Sequence, residues 1–395
     1  LEGIGANQDT RVKKECVMKK SNSRPAASHQ FEAMESLEQR VLLSGTPAAL
    51  SFGNGDFGGA WALQGEHLAG SLTSDGAGNI TSGLATEQDG TAVTMTGTYD
   101  VGTTGVLTTD LDYSTGPSGN YVGAMNTTKD LVATNCTPVP DANTDDADLA
   151  IVVKHSLGNF SNADMAGTWD FNNQGAHGYA TLDGAGHIKS GSVTFEGSTG
   201  ATQTASITGG TYSITATGTV TIASTINAPA ADQPDTWVGT MDDSKDVMAL
   251  NDANLGSQPH YSAGDDADLM TFVKRAGTFS DADAVGTWTL ASQDSSGTLT
   301  LNGKGGFTGG GVSSDDGTAR SWTVAGTYSI AANGTLTIHT VENNGDVENF
   351  IGSMNGSKNF MTFSPTSPTD HNAELVTLVS SAYTNPPVVK TSAGA

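Results

Sequence analysis

One ordered series of landmarks is written three times along this chain, and that repetition limits its fold more than any other feature. "FSNADMAGTWDF" occupies 160–171, "FSDADAVGTWTL" 279–290, and a looser "FGNGDFGGAWAL" 52–63. Trp61, Trp169 and Trp288 thus stand 108 and 119 residues apart. The same order follows each time: "SDGAGNI" (74–80), "LDGAGHI" (182–188) and "LNGKGGF" (301–307), then "GTYDV" (97–101), "GTYSI" (210–214) and "GTYSI" (326–330). Next come "VGAMNTTKDL" (122–131), "VGTMDDSKDV" (238–247) and "IGSMNGSKNF" (351–360), and finally "DADLAIVVK" (146–154), "DADLMTFVK" (266–274) and "NAELVTLVS" (372–380). A period of about 110 residues exceeds the roughly 20–50 of a solenoid rung or propeller blade. Each copy is therefore a domain with its own core.

Within a copy the hydrophobic period is that of strands. Thr219-Val220-Thr221-Ile222, Leu299-Thr300-Leu301 and Leu336-Thr337-Ile338 put apolar groups on one face and Thr on the other. Asp75-Gly76, Asp183-Gly184 and Asn302-Gly303 are the dipeptides of tight type I′ hairpins. About eight short antiparallel strands can be counted per copy, and a run of that kind closes into an up-and-down barrel without exposed edges. The expected fold is all-β: three tandem antiparallel meander barrels, preceded by a short N-terminal helix.

Ser161-x-x-Asp164 and Ser280-x-x-Asp283 have capping-box spacing, so a helical turn precedes the first strand, with Phe160 or Phe279 and the Trp plugging one barrel end. Core packing explains Trp61, Trp169, Trp288, Tyr99, Tyr212 and Tyr328 most simply; lining a ligand cavity is the alternative. Short connections between copies predict a semi-rigid string of barrels.

Composition narrows the function classes. The net charge is −25, and seven of the seventeen Lys and Arg precede residue 46. The remaining acidic surface repels phosphate backbones and anionic lipid, which argues against nucleic-acid and membrane-surface binding. Hydrophobic content of 36% with 50 Gly fits turn-rich β structure. No apolar run reaches the roughly 18 residues of a membrane span or the ~7–15 of a secretory core segment. With only Cys16 and Cys136, and Met18 a candidate start, cysteines do not report the redox compartment.

Chemistry-bearing motifs are absent: no Gly-x-Ser-x-Gly, P-loop, HExxH or CxxC occurs, and the eight His do not recur at equivalent positions. The chain reads as a non-enzyme with no cofactor. Asp141-x-Asn143-x-Asp145 starts like a calcium loop, but Asp146 and Val152 stand where its Gly and terminal Glu belong. Asp141, Asn143 and Asp145 are the metal candidates; a solvated acidic loop is the simpler reading, there and at Asp265–Asp268.

Residues 1–30 are polar, basic and aperiodic, as expected of a disordered lead. In "FEAMESLEQRVLLSG" (31–45), Phe31, Met34, Leu37, Val41 and Leu42 recur at near-helical spacing. Leu37-Glu38, Arg40, Leu42-Leu43 and Ser44 resemble the LEPR-XLL motif of planctomycete surface and exported proteins, with Gln39 in place of the usual Pro. That resemblance implies a sorting role and export to the cell surface or beyond. The start of each repeat resembles the Gly-x-Trp opening of lipocalins and related calycins, in which a helical turn leads into the first strand. The "DG.GNI" hairpins resemble Gly-rich β repeats of exported bacterial proteins, which imply no activity.

The organisation read from the sequence is therefore repeat 1 over 52–158, repeat 2 over 159–277, repeat 3 over 278–384 and a tail over 385–395. The expected function is a non-enzymatic spacer, adhesion or structural module with an unidentified cell-surface or extracellular partner. The alternative is a set of calycin-like barrels taking a small apolar ligand or a glycan.

Overall fold

The computed structural model describes residues 50–380, apart from 67, 88–89, 116–117, 138–148, 156–158, 197–201, 229–235, 254–268, 294, 316–317, 344, 346 and 367–373. The N-terminal helix expected over 31–45 lies outside these residues. Three closed antiparallel barrels of eight strands each follow one another. Barrel 1 runs from Gly59–Gly65 to Leu149–Lys154, barrel 2 from Gly167–Asn172 to Met270–Lys274, and barrel 3 from Gly286–Ser292 to Val376–Ser380. Each strand pairs with the next, and the first closes on the eighth at Trp61↔Lys154, Trp169↔Lys274 and Trp288↔Ser380.

Alternation decides which way the side chains point. In Thr219–Ile226, Val220, Ile222 and Ile226 are buried in the lumen core, while the intervening Thr221 is only half-buried. In Ala92–Val101, Val93, Met95, Tyr99 and Val101 are buried, and Thr94, Thr96, Thr98 and Asp100 are exposed. Apolar groups thus fill the lumens and hydroxyls face outward, the reverse of a barrel with a lipid-facing apolar band.

The repeated opening phrase builds a plug. A single 3-10 turn precedes each first strand, over Asn54–Phe57, Asn162–Met165 and Asp281–Ala284. Its last Asp accepts the backbone N–H three residues earlier: Gly53 to Asp56 at 3.0 Å, Ser161 to Asp164 at 2.8 Å, Ser280 to Asp283 at 2.8 Å. Each Trp indole N–H donates to the carbonyl four residues before it, of Phe57, Met165 or Ala284, at 2.8 Å in all three. The Gly-Thr-Tyr strand holds the turn from the other side. The hydroxyls of Tyr99, Tyr212 and Tyr328 donate to the carbonyls of Asn54, Asn162 and Asp281 at 3.0, 3.4 and 3.1 Å.

Two expectations are corrected. The Asp-Gly turns are not type I′: Gly76 and Gly78 take positive φ (73° and 111°), while Asp75 does not. Instead the Asp75 Oδ1 accepts the N–H groups of Ala77 and Asn79 at 2.7 and 3.0 Å, so the side chain caps a three-residue loop. Asp183 and Asn302 do the same.

The barrels are also not strung end to end. A fourth hydrophobic core lies between them, built from Leu131, Leu149 and Ile151 of barrel 1, Val247 and Val273 of barrel 2, and Phe360 and Val379 of barrel 3, among others. Their last two strands are buried on both faces: Leu149–Val153 and Val247–Asp252 show no exposed residue. One face fills the lumen and the other faces the neighbouring barrels.

Polar contacts around this core close in a cycle. Asp130 of barrel 1 accepts the Ser244 N–H and hydroxyl of barrel 2 at 3.1 and 2.7 Å. Asp246 of barrel 2 accepts those of Ser357 in barrel 3 at 2.7 and 2.8 Å. The Asn359 amide of barrel 3 donates back to Thr127 and Thr128 of barrel 1 at 3.2 and 3.1 Å. A second cycle links the same three pairs of barrels in the opposite sense, through Asn251 to Gly65, Asn135 to Ser292 and Ser364 to Asn172. The three barrels form a ring.

Candidate functional site: a cup in the third barrel

The residues singled out by repetition serve packing. Trp61, Trp169 and Trp288 are 0, 0 and 2% exposed, Tyr99, Tyr212 and Tyr328 5, 5 and 4%, and all six belong to the plug end. Burial raises the pKa of the three tyrosines, keeping their hydroxyls as neutral donors. Asp141, Asn143 and Asp145 lie outside the described residues. Among those described, no three acid, His or Cys side chains come together in a metal-holding group.

What the repeats do not share is the state of the lumen. Barrel 1 holds a cavity of only about 30 Å³, crossed by the Tyr113 and Tyr121 hydroxyls 2.8 Å apart. Barrel 3 holds one of about 130 Å³, floored by Phe307, Trp322, Phe350 and Phe363. The rings of Phe350 and Phe363 meet edge to face, with centroids 5.4 Å apart.

Register explains the difference. Ser295 and Ser313 pair across barrel 3, where barrel 1 pairs Leu68 with Glu87 and barrel 2 pairs Ala176 with Phe195. One step inward Gly297 faces Gly311, against Gly70 with Ala85 and Gly178 with Val193. Trp322 fills part of the space that these small residues leave, its ring lying against Gly297. Its indole N–H is buried without an acceptor among the described residues.

The cup opens at the end away from the plug, where strand 1 ends at Ser292 and strand 2 begins at Ser295. Three carboxylates line this end: Glu342, Glu348 and Glu374. Glu374 accepts a short hydrogen bond from the Ser292 hydroxyl. Glu342 occupies the register position of Tyr113 in barrel 1 and Ile226 in barrel 2, each paired to the residue that matches Val324. Sequence reasoning missed these residues, because they stand out only when strand pairings align the three lumens. Trp322, outside the repeated landmarks, was the available signal.

A second cavity, about 210 Å³, lies between barrels 2 and 3. Arg275 grips Asp170 there through Nε and Nη2, at 2.9 and 2.6 Å, and stacks 4.8 Å above the Tyr179 ring. Burial lowers the His177 pKa, which favours the neutral imidazole. Asp170 and Arg275 satisfy one another in this cleft, whereas His177 Nδ1 and Ser353 Oγ on its walls are buried with no partner among the described residues.

Compared with known proteins, the chain matches no protein-family model and no curated sequence. Among the described residues no helix is long and apolar enough to cross a membrane.

Proposed function

We propose that the protein is a non-enzymatic exported or cell-surface module, whose three barrels act as one rigid body in spacing or adhesion. One observation carries this reading: the side chains written three times are engaged in holding the barrels. The Trp and Tyr bind the plug, Lys129, Lys245 and Lys358 pair with its Asp at 2.9, 2.8 and 2.7 Å, and Asp130 and Asp246 join neighbouring barrels. Repetition here has a mechanical use. The acidic balance suits a soluble face outside the cell, and the resemblance of residues 31–45 to LEPR-XLL supports export.

Antibody labelling of intact against permeabilised cells tests the address. Equal signal before permeabilisation is expected; labelling only afterwards refutes export. A second reading, a calyx for a small ligand, is favoured specifically by the open cup of barrel 3. Native mass spectrometry of protein from its own source separates the two: a reproducible bound small molecule replaces the purely structural role.

A further inference from the structure

The third lumen differs from its siblings in size and in charge, and both differences point to the same class of ligand. We propose that the cup of barrel 3 binds a small organic cation: an ammonium head on an aromatic or short aliphatic body. The inference rests on the calyx reading and adds the chemistry of the occupant.

The body is argued from shape. A cavity of about 130 Å³ approaches the ~150 Å³ of apolar protein cavities that take up benzene. Phe307, Trp322, Phe350 and Phe363 offer ring surface, which suits an apolar group and attracts a cation by its negative face. Barrel 2 places Trp237 where barrel 3 has Phe350, and Phe195 where it has Ser313, so the sibling lumen carries side chains where a ligand body would lie.

The head is argued from the rim. Glu342, Glu348 and Glu374 line the open end, and Arg320 is paired in register with the lining residue Ser313. Among the described residues, three carboxylates against one guanidinium leave the mouth negative. An anion entering there meets like charge, and a neutral molecule gains nothing from it. A cation seated at the boundary between an apolar lumen and water is attracted more strongly than on an open surface. The −25 charge of the whole chain acts in the same direction on the approach.

The test is calorimetric titration of the full chain with three near-isosteric probes: benzylammonium, benzyl alcohol and benzoate. Benzylammonium is expected to bind at least about tenfold tighter than benzyl alcohol, with benzoate weakest and the preference shrinking as salt rises. The double variant E342Q/E348Q keeps the cup's shape and spares Glu374, which holds Ser292. It should bring benzylammonium down to the level of the alcohol while leaving alcohol binding nearly unchanged in a protein that circular dichroism shows to be folded.

Ser313→Phe, which introduces barrel 2's residue, should abolish binding of every probe in a protein that circular dichroism shows to be folded. Equal binding of ammonium and alcohol overturns the cation assignment and leaves the calyx standing. No binding by any probe at millimolar concentration overturns the calyx and the assignment together. Benzylammonium binding that survives both variants places it elsewhere on the acidic surface and refutes the cup.

Discussion

At Asp242, a fully buried position, one repeat departs from the other two. Barrels 1 and 3 have Asn126 and Asn355 there. Their Oδ1 atoms accept two backbone N–H groups, and their Nδ2 atoms donate to Asp130 at 2.8 Å and to Asn359 and Asp246 at 2.8 and 3.1 Å. Asp242 keeps the two accepted bonds, both 3.0 Å, but its Oδ2 is buried with no partner among the described residues. Burial first, and then the charges of Asp246 and Asp130, push its carboxyl well above the ordinary 3.8. The unfolded chain releases this proton near 3.8 while the folded chain holds it. Stability from this group is therefore complete below that pH and declines as pH rises, until the folded carboxyl ionises. Asp242→Asn should stabilise the protein at pH 7 by about 1–3 kcal/mol, since the amide regains a donor, and should flatten the slope above pH 4. Urea unfolding at pH 5, 7 and 8.5 measures both; a less stable variant at pH 7 would refute the assignment.

At the scale of elements, the turn between the sixth strand of each barrel (ending at Met125, Met241 or Met354) and the seventh (beginning at Leu131, Val247 or Phe360) carries a lysine in left-handed conformation: Lys129, Lys245 and Lys358, at φ 63°, 60° and 56°. Glycine would fit that backbone with less strain. The lysine is used because its ammonium reaches the plug, where it pairs with Asp56, Asp164 or Asp283 and lies over the Phe52, Phe160 or Phe279 ring at 5.2, 5.2 and 5.5 Å. The hydrogen bond from Lys245 is the main cause of the lowered Asp164 pKa. Lys245→Met should cost roughly 1 kcal/mol at low salt, and less at high salt, since both partners are partly exposed and screened. The depressed Asp164 adds stability above its unfolded pKa that is lost as pH falls through the folded value. In the methionine variant that acid-side loss should shrink, which NMR titration of the Asp164 carboxyl together with acid unfolding would detect; an unmoved titration argues against the pair. Eight strands per repeat were legible from alternation and turn residues, whereas the turn type was not. Whether Asp75 enters positive φ or caps the loop with its side chain depends on the loop's hydrogen bonds, and both outcomes are written with the same dipeptide.

For the molecule as a whole, the shared core makes the barrels interdependent. Phe360 is fully buried between barrels, so Phe360→Ala should lower the stability of the assembly by about 3–5 kcal/mol. The intact chain should melt in one transition followed together by calorimetry and circular dichroism; three separable transitions would mean that the central core does not couple the barrels. Repeat 2 made alone as residues 159–277 exposes Val247, Ala249, Leu269 and Val273, and should self-associate in sedimentation analysis; a stable monomer would show that the face needs no cover. This coupling had a trace in the chain: "LAIVV" and "VMAL" run apolar without alternation, the pattern of a strand buried on both sides. Local spacing thus determined the repeats, the strand count and the closed barrels, because period-two alternation and turn chemistry act between near neighbours. Only the tertiary structure decided that the barrels form a ring and that the third lumen is open and acidic. Both depend on which side chains meet across paired strands and across barrels, and residues as far apart as Thr128 and Asn359 become neighbours only when the chain is folded.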